Sequence, residues 1–192
     1  MQRDWHNFYQ ITKDNPPSER LVKAVELLGH SGEALDLGCG AGRDTRHLLA
    51  CGFQVTAVDR EAASLAMLAN LQTARLHCVQ SSFENFTFAR YDLVNARFAL
   101  PFMPAEHFST VFDHIKTSLK PDGIFVGQFF GVHDTWNAPE NNMTFFTRAE
   151  ALARLENLEV VEFEEEDHDG KTAEGTPKHW HVYHIIARKP WS

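Results

Sequence analysis

The stretch Ala34–Asp59, ALDLGCGAGRDTRHLLACGFQVTAVD, decides how the rest of the chain is read. Ala34 to Leu37 is an apolar run that predicts a buried strand. Gly38, Gly40 and Gly42 predict a tight turn, and Arg43 to Cys51 a helix. After Gly52, Phe53 to Val58 predicts a second strand, closed by the acid Asp59. A strand that delivers its C-terminal end to a glycine turn and a helix start is a nucleotide-binding geometry. Glycines let the backbone come close to a ligand, and the first turn of the helix offers free N–H groups.

Two ligand classes use this geometry. The dinucleotide fingerprint G-x-G-x-x-G, counted from Gly38, needs glycine at position 43, where Arg43 stands. The pattern is instead D-x-G-x-G-x-G, beginning at Asp36, and it resembles motif I of the class I S-adenosylmethionine-dependent methyltransferases. The resemblance implies S-adenosylmethionine as cofactor, held by Asp36, Gly38, Cys39, Gly40, Gly42 and Arg43. A carboxylate near the loop suits an ammonium and a sulfonium, whereas it would repel a pyrophosphate. Asp59, 21 residues after Gly38 and followed by Arg60, stands where an acid accepts hydrogen bonds from both ribose hydroxyls. The plainer alternative is a glycine turn in an unrelated α/β domain.

Composition narrows the partners. At 192 residues the chain is long enough for a full core and reads as a single domain, with 1–17 as a leader or lid and 18–192 as the core. A hydrophobic content of 43% with 23% charged residues is that of a water-soluble globular protein. No apolar run approaches a membrane span, and Arg3, Asp4 and His6 interrupt any secretory signal. Cys39, Cys51 and Cys78 lack metal-ligand spacing and read as reduced thiols, so a cytoplasmic location is expected. A net charge of −8 argues against nucleic acid. The expected partner is a small-molecule substrate, with no membrane, and the expected state is a monomer or weak homodimer.

The leader carries Trp5, Phe8 and Tyr9 and stops at Pro16-Pro17. Its aromatics either cover the ligand site or pack on the sheet edge. Ser18 predicts a helix N-cap, followed by Leu21, Val22, Val25 and Leu28 at helical spacing up to Gly29. Glu61 to Leu71 predicts a further helix and Arg75 to Gln80 a third strand. The next residues resemble the family's third cofactor motif, which places Ser82 and Phe83 at the adenine, with Ser82 where the family carries an acid. Glu84 is the other candidate acceptor there.

Tyr91 to Ala96 resembles the family's fourth strand, which ends at the reacting atoms. This places Asn95 beside the cofactor and Arg97 and Phe98 on the substrate side. The Asn-Pro-Pro-Tyr signature of amide and amine methylation is absent, since Asn95-Ala96-Arg97-Phe98 lacks both prolines. Pro104 to Leu119 is amphipathic, and Lys120-Pro121-Asp122-Gly123 reads as a turn before a fifth strand, Ile124 to Phe130. The following loop carries His133, Asp134 and Trp136. Thr147 and Glu150 predict a capping box. Glu159 to Phe163 predicts a strand, the acidic run after it a solvated loop, and Trp180 to Ala187 a last strand. His179 and His181 share one face of that strand and read as a solvated or hydrogen-bonded pair, with no metal assigned.

The resemblance implies a Rossmann-like α/β fold: a seven-stranded, mostly parallel sheet of order 3-2-1-4-5-7-6, last strand antiparallel, with helices on both faces. It implies a methyltransferase acting on a small molecule, closest in look to small bacterial tellurite-resistance-type enzymes. Arg97, His133 and His181 are the catalytic candidates. Tyr9, Arg97, Phe98, His133, Trp136 and His179 are the substrate-side ones. A non-catalytic binding module and an NAD-dependent oxidoreductase are the alternatives.

Overall fold

Alternation along β1 (Glu33–Leu37) sends Leu35 and Leu37 to one side of a sheet and Ala34 to the other, and a separate apolar cluster forms on each side. This two-faced burial is what a parallel sheet between helices requires. A computed structural model describes residues 5–71 and 73–191. Met1 to Asp4 of the leader, Gln72 and Ser192 lie outside the described residues.

The remaining strands are β2 (Gln54–Asp59), β3 (Leu76–Gln80), β4 (Tyr91–Ala96), β5 (Leu119–Gly131), β6 (Phe145–Phe146), β7 (Glu159–Lys171) and β8 (Pro177–Arg188). The sheet runs β3-β2-β1-β4-β5-β8-β7, and the two-residue β6 pairs with the end of β5. Without β6 this is the expected order. Pairings from β3 through β5 are parallel, and β8 runs antiparallel to both β5 and β7. Helices α2 (Glu19–Leu28) and α3 (Arg43–Ala50) bury Leu21, Ala24, Leu28, Leu48 and Leu49 in one cluster. Helices α5 (Ala105–Ser118) and α6 (Arg148–Arg154) supply Phe108, Val111, Phe112, Ile115 and Ala151 to the other. The leader forms α1 (Trp5–Thr12).

Four local expectations are corrected. Ser18 makes no side-chain cap; its N–H instead donates to Asp44 Oδ1 at 3.1 Å, tying the start of α2 to α3. The helix after β2, α4, covers only Ala62–Ala66, after which the chain continues as turns. The Lys120–Gly123 segment is a bulge inside β5, because Tyr91 pairs with Leu119 and Leu93 with Ile124. The acidic run is strand, not loop: β7 and β8 form a long hairpin. Edge strands accommodate charge, and the acids of β7 face histidines of β8, Asp167 opposite His181 and Asp169 opposite His179. The capping box is present, with Thr147 and Glu150 bonded reciprocally.

Asp92 braces the bulge. Its Oδ2 accepts the Lys120 ammonium and the Glu33 N–H, both at 2.7 Å. Burial alone would raise its pKa, but these two bonds and the Lys120 charge hold it below the usual carboxylate range. Asp92→Asn is expected to cost about 1–3 kcal/mol in urea unfolding at pH 7. Because the folded pKa is depressed, the stabilisation is complete above the unfolded value of about 3.9. The gap between wild type and variant therefore closes as pH falls through the folded value, and a gap unchanged at low pH would remove Asp92 from this role.

Candidate active site

A cavity of about 400 Å³ opens at the C-terminal ends of β1, β2 and β4. Open α/β sheets bind ligands at this edge. Gly38 and Gly40 line it, with φ of 76° and 52°. A Cβ on Gly38 would sit 2.6 Å from that of Ala99, so this turn admits no side chain.

The floor is acidic and buried. Asp36 is 2% exposed; its Oδ1 accepts Asn95 Nδ2 at 2.8 Å and its Oδ2 the Thr45 hydroxyl at 2.5 Å. Asp44, in the first turn of α3, takes Arg43 Nε at 3.0 Å and lies 3.4 Å from the same Asn95 amide. Burial, then the charge of Asp44, raises the Asp36 pKa to about 7, against the two hydrogen bonds it accepts. Asn95 Oδ1 is buried with no hydrogen-bond partner among the described residues. Two carboxylates and an unsatisfied acceptor beside the glycine turn form a set of acceptors suited to a cation. Asp59 Oδ2 accepts the Gly40 N–H at 2.9 Å and Oδ1 the Glu61 N–H at 3.0 Å, so this acid also shapes the turn.

The leader forms the opposite wall. Tyr9 is 4% exposed, and its ring would touch a Cβ on Gly40 at 3.4 Å. Trp5 stacks on Tyr9 at 6.2 Å and meets Phe102 edge-on at 5.3 Å, while Arg60 lies 5.9 Å over the Trp5 ring. Burial, then the charge of Asp59, pushes the Tyr9 pKa up.

Of the residues expected at the cofactor, Asp36, Gly38, Cys39, Gly40, Arg43, Asp59, Arg60, Ser82, Phe83 and Asn95 line the cavity. Gly42 stands behind it as the N-cap of α3, where a Cβ would meet Leu68 at 2.0 Å. Tyr9, Arg97, Phe98 and Trp136 also line it. His133, His179 and His181 do not. His133 Nδ1 and His179 Nε2 bond the two oxygens of Asp167, at 2.8 and 2.6 Å. His181 is buried, its Nδ1 accepting the His133 N–H and its Nε2 facing Glu165 at 3.0 Å. The three rings and Asp167 clasp the loop after β5 to the hairpin. Among them His133, Asp167 and His181 bring ligand-type atoms within 4.8 Å of one another. Both His181 nitrogens are already committed, which favours the clasp.

Sequence reading passed over Asp44, Phe102, Met103, Trp180 and the hairpin tip Thr172–Glu174, all of which line the cavity. Alternation could have found Trp180, since it faces away from His179 and His181. The tip could not be found while β7 was read as a loop.

Residues 34–123 match the family model described as a methyltransferase domain. The matched segment holds the glycine turn and both acids, and the sheet order is the one expected of a class I S-adenosylmethionine-dependent methyltransferase. Its fold is similar to that of TehB from Haemophilus influenzae (TM-score 0.78, 19% identity), with 95% of this chain aligned. The chain spans 65% of that protein's length. It is also similar to the N-methyltransferase NodS from Bradyrhizobium japonicum, solved with S-adenosylhomocysteine (TM-score 0.72, 16% identity, covering 98% of this chain and 100% of that one). A third is the 1,6-didemethyltoxoflavin-N1-methyltransferase of Burkholderia thailandensis (TM-score 0.69, 23% identity, 97% and 84% covered). No curated protein matches the chain significantly. Among the described residues, no helix is long and apolar enough to cross a membrane.

Tyr9 is the contact that seats the leader. Tyr9→Ala is expected to free α1, raising the rate of tryptic cleavage after Lys13 by about tenfold or more through local opening. A digestion rate equal to wild type would mean that α1 is held without the ring.

Proposed function

We propose that this protein transfers the methyl group of S-adenosylmethionine to a small-molecule acceptor. One observation carries the reading: the buried acceptor set of Asp36, Asp44 and Asn95 Oδ1 beside the glycine turn. Its chemistry fits the α-ammonium of S-adenosylmethionine and is repulsive to the pyrophosphate of a dinucleotide. Asp59 has remaining lone pairs for the ribose hydroxyls, and Ser82 and Phe83 stand at the adenine end. When bound, the cofactor supplies an already activated methyl group. The chain's own residues then hold the donor, align the acceptor beyond β4 and exclude water under α1.

Asp59→Ala removes charge-assisted bonds of about 1.5–3 kcal/mol each, so S-adenosylhomocysteine should bind at least about tenfold more weakly in calorimetry. Since Asp59 also holds Gly40, the Asn variant, which keeps one acceptor oxygen, is expected to lose less. Tight NAD binding with no response to S-adenosylhomocysteine would overturn the reading. Turnover is checked by S-adenosylhomocysteine formation over a panel of small acceptors; binding without turnover on every class favours a non-catalytic module.

The raised Asp36 pKa sets a pH dependence. In the free protein Asp36 is increasingly protonated below about pH 7, whereas an arriving ammonium favours the carboxylate. Binding then releases a proton, and affinity falls as pH is lowered from 8 to 6, approaching about tenfold per unit. Asp36→Asn should bind weakly and without this slope. A wild-type affinity flat across that range would show that Asp36 does not meet the cation.

A further inference from the structure

Arg97 is the second residue of the cavity wall after Asn95, and its setting differs from that of every other arginine near it. Phe98, next in the chain, has φ of 46°, a left-handed conformation that aromatic residues rarely adopt. The Phe98 N–H donates to Gln128 Oε1 at 2.8 Å, and Gln128, 1% exposed, reaches His184 Nδ1 through its Nε2 at 3.4 Å. A buried side-chain pair on β5 and β8 thus holds a strained turn in place, and strain maintained in this way clusters at functional sites. The turn sets the Arg97 guanidinium in the cavity wall, 5.0 Å over the Phe98 ring.

Among the described residues no carboxylate pairs with Arg97. Asp44, the acid whose charge reaches it, is committed to Arg43 and the Ser18 N–H. Burial, then the Arg43 charge, lowers the Arg97 pKa to about 10, which leaves it charged at neutral pH. A partly buried cation without a counter-charge is costly, and an anionic group in the cavity would offset that cost.

The surroundings narrow the anion. Beyond the glycine turn the wall is made by Phe98, Phe102, Trp136 and Trp180, with Trp136 and Trp180 5.3 Å apart and Phe98 and Trp180 6.2 Å apart. A hydrated inorganic oxyanion would lose water to these rings and gain one guanidinium, a poor exchange. A cationic acceptor is disfavoured as well. The Lys178 ammonium, paired with Asp134, already occupies the faces of the Trp136 ring at 4.2 Å and the Trp180 ring at 3.9 Å, so those faces are taken by a cation of the protein's own.

We infer that the methyl acceptor is a flat, largely apolar organic anion whose negative group pairs with Arg97 while its ring system packs among Phe98, Phe102, Trp136 and Trp180. The inference rests on the methyltransferase reading and specifies the substrate class of that site. Gln128 is its positioning residue, acting through the Phe98 turn.

The test uses the full chain loaded with S-adenosylhomocysteine and reads tryptophan fluorescence on addition of 2-naphthoate, 2-naphthamide, 2-naphthylmethylammonium and sodium sulfate. Naphthoate is expected to bind at least about tenfold more tightly than the amide, the ammonium or sulfate, as a charge-assisted bidentate contact gives. Arg97→Met should abolish the preference for naphthoate over the amide while S-adenosylhomocysteine affinity stays within about twofold, and Arg97→Lys should restore part of it. Gln128→Leu should weaken naphthoate but not the amide. Equal binding of naphthoate and the amide, a preference that survives in Arg97→Met, tighter sulfate than naphthoate, or no binding of any naphthyl probe would each overturn the inference and leave the cofactor reading intact. Failure of the wild-type protein to take up S-adenosylhomocysteine would overturn the cofactor reading and this inference together.

Discussion

The arrangement depends on one buried polar junction, the amide of Asn95 held between the carboxylates of Asp36 and Asp44. Asp36 and Asn95 are register partners on β1 and β4, so the junction sits where the two central strands end side by side. Thr45 adds the first turn of α3, and the Ser18 N–H adds the start of α2. Four elements therefore meet at one set of polar groups, which a low-dielectric interior makes strongly directional. The same junction is electrostatically incomplete. Burial, then the nearby charge of Asp44, raises the Asp36 pKa, and Asn95 Oδ1 accepts from no group among the described residues. Such a deficit in the centre of the fold is what the cation of the proposed cofactor would offset.

The far side of the cavity has the opposite imbalance. Arg97 brings a positive charge that no carboxylate among the described residues pairs, while Lys178, beneath the tryptophans, is neutralised by Asp134. The protein is acidic overall at −8, so in the proposed reaction the Arg97 guanidinium is the local charge that would draw an anion into the apolar slot against the global field. On the proposed reading, one end of the single cavity would receive positive charge and the other negative. That polarity would separate a donor bearing an ammonium from an acceptor bearing an anion before any chemistry occurs.

Much of this was legible in the sequence, for identifiable reasons. The glycine turn, Asp36 and Asp59 lie in one continuous segment, where local spacing dictates geometry. Alternating elements indicated a parallel α/β sheet and the family resemblance its order, while α2, α5 and the Thr147 cap followed from periodicity and capping chemistry. What escaped was non-local. The run EEEDHDG reads as a solvated loop because its acids repel one another in isolation; only pairing with β8 places Asp167 and Asp169 against histidines and makes a strand. The same misreading hid Thr172–Glu174 from the site. His133, His179 and His181 are chemically capable residues, but Gly131 admits the His181 ring against the backbone, and that packing turns the cluster away from the cavity. Residue type indicated reactivity, whereas tertiary contacts decided direction.

The histidine clasp also explains how an acceptor site made from distant segments can be kept in register. Trp136 comes from the loop after β5 and Trp180 from β8, just beyond the residues of β8 that pair with β5. The clasp joins those same segments through His133, Asp167 and His179, while Thr135 bonds the His179 backbone from both sides, accepting its N–H at 2.9 Å and donating to its carbonyl at 3.3 Å. Lys178 and Asp134, both buried, form a second link directly below the rings. The cost of burying that ion pair is offset by the Trp136, Trp180 and Phe130 faces around the ammonium, by the His179 carbonyl that also accepts from it, and by the Trp136 and His181 N–H groups that donate to Asp134. The aromatic wall and the ion pair beneath it therefore need each other: the rings lower the cost of burying the charge, and the charge holds the rings where an acceptor would meet them.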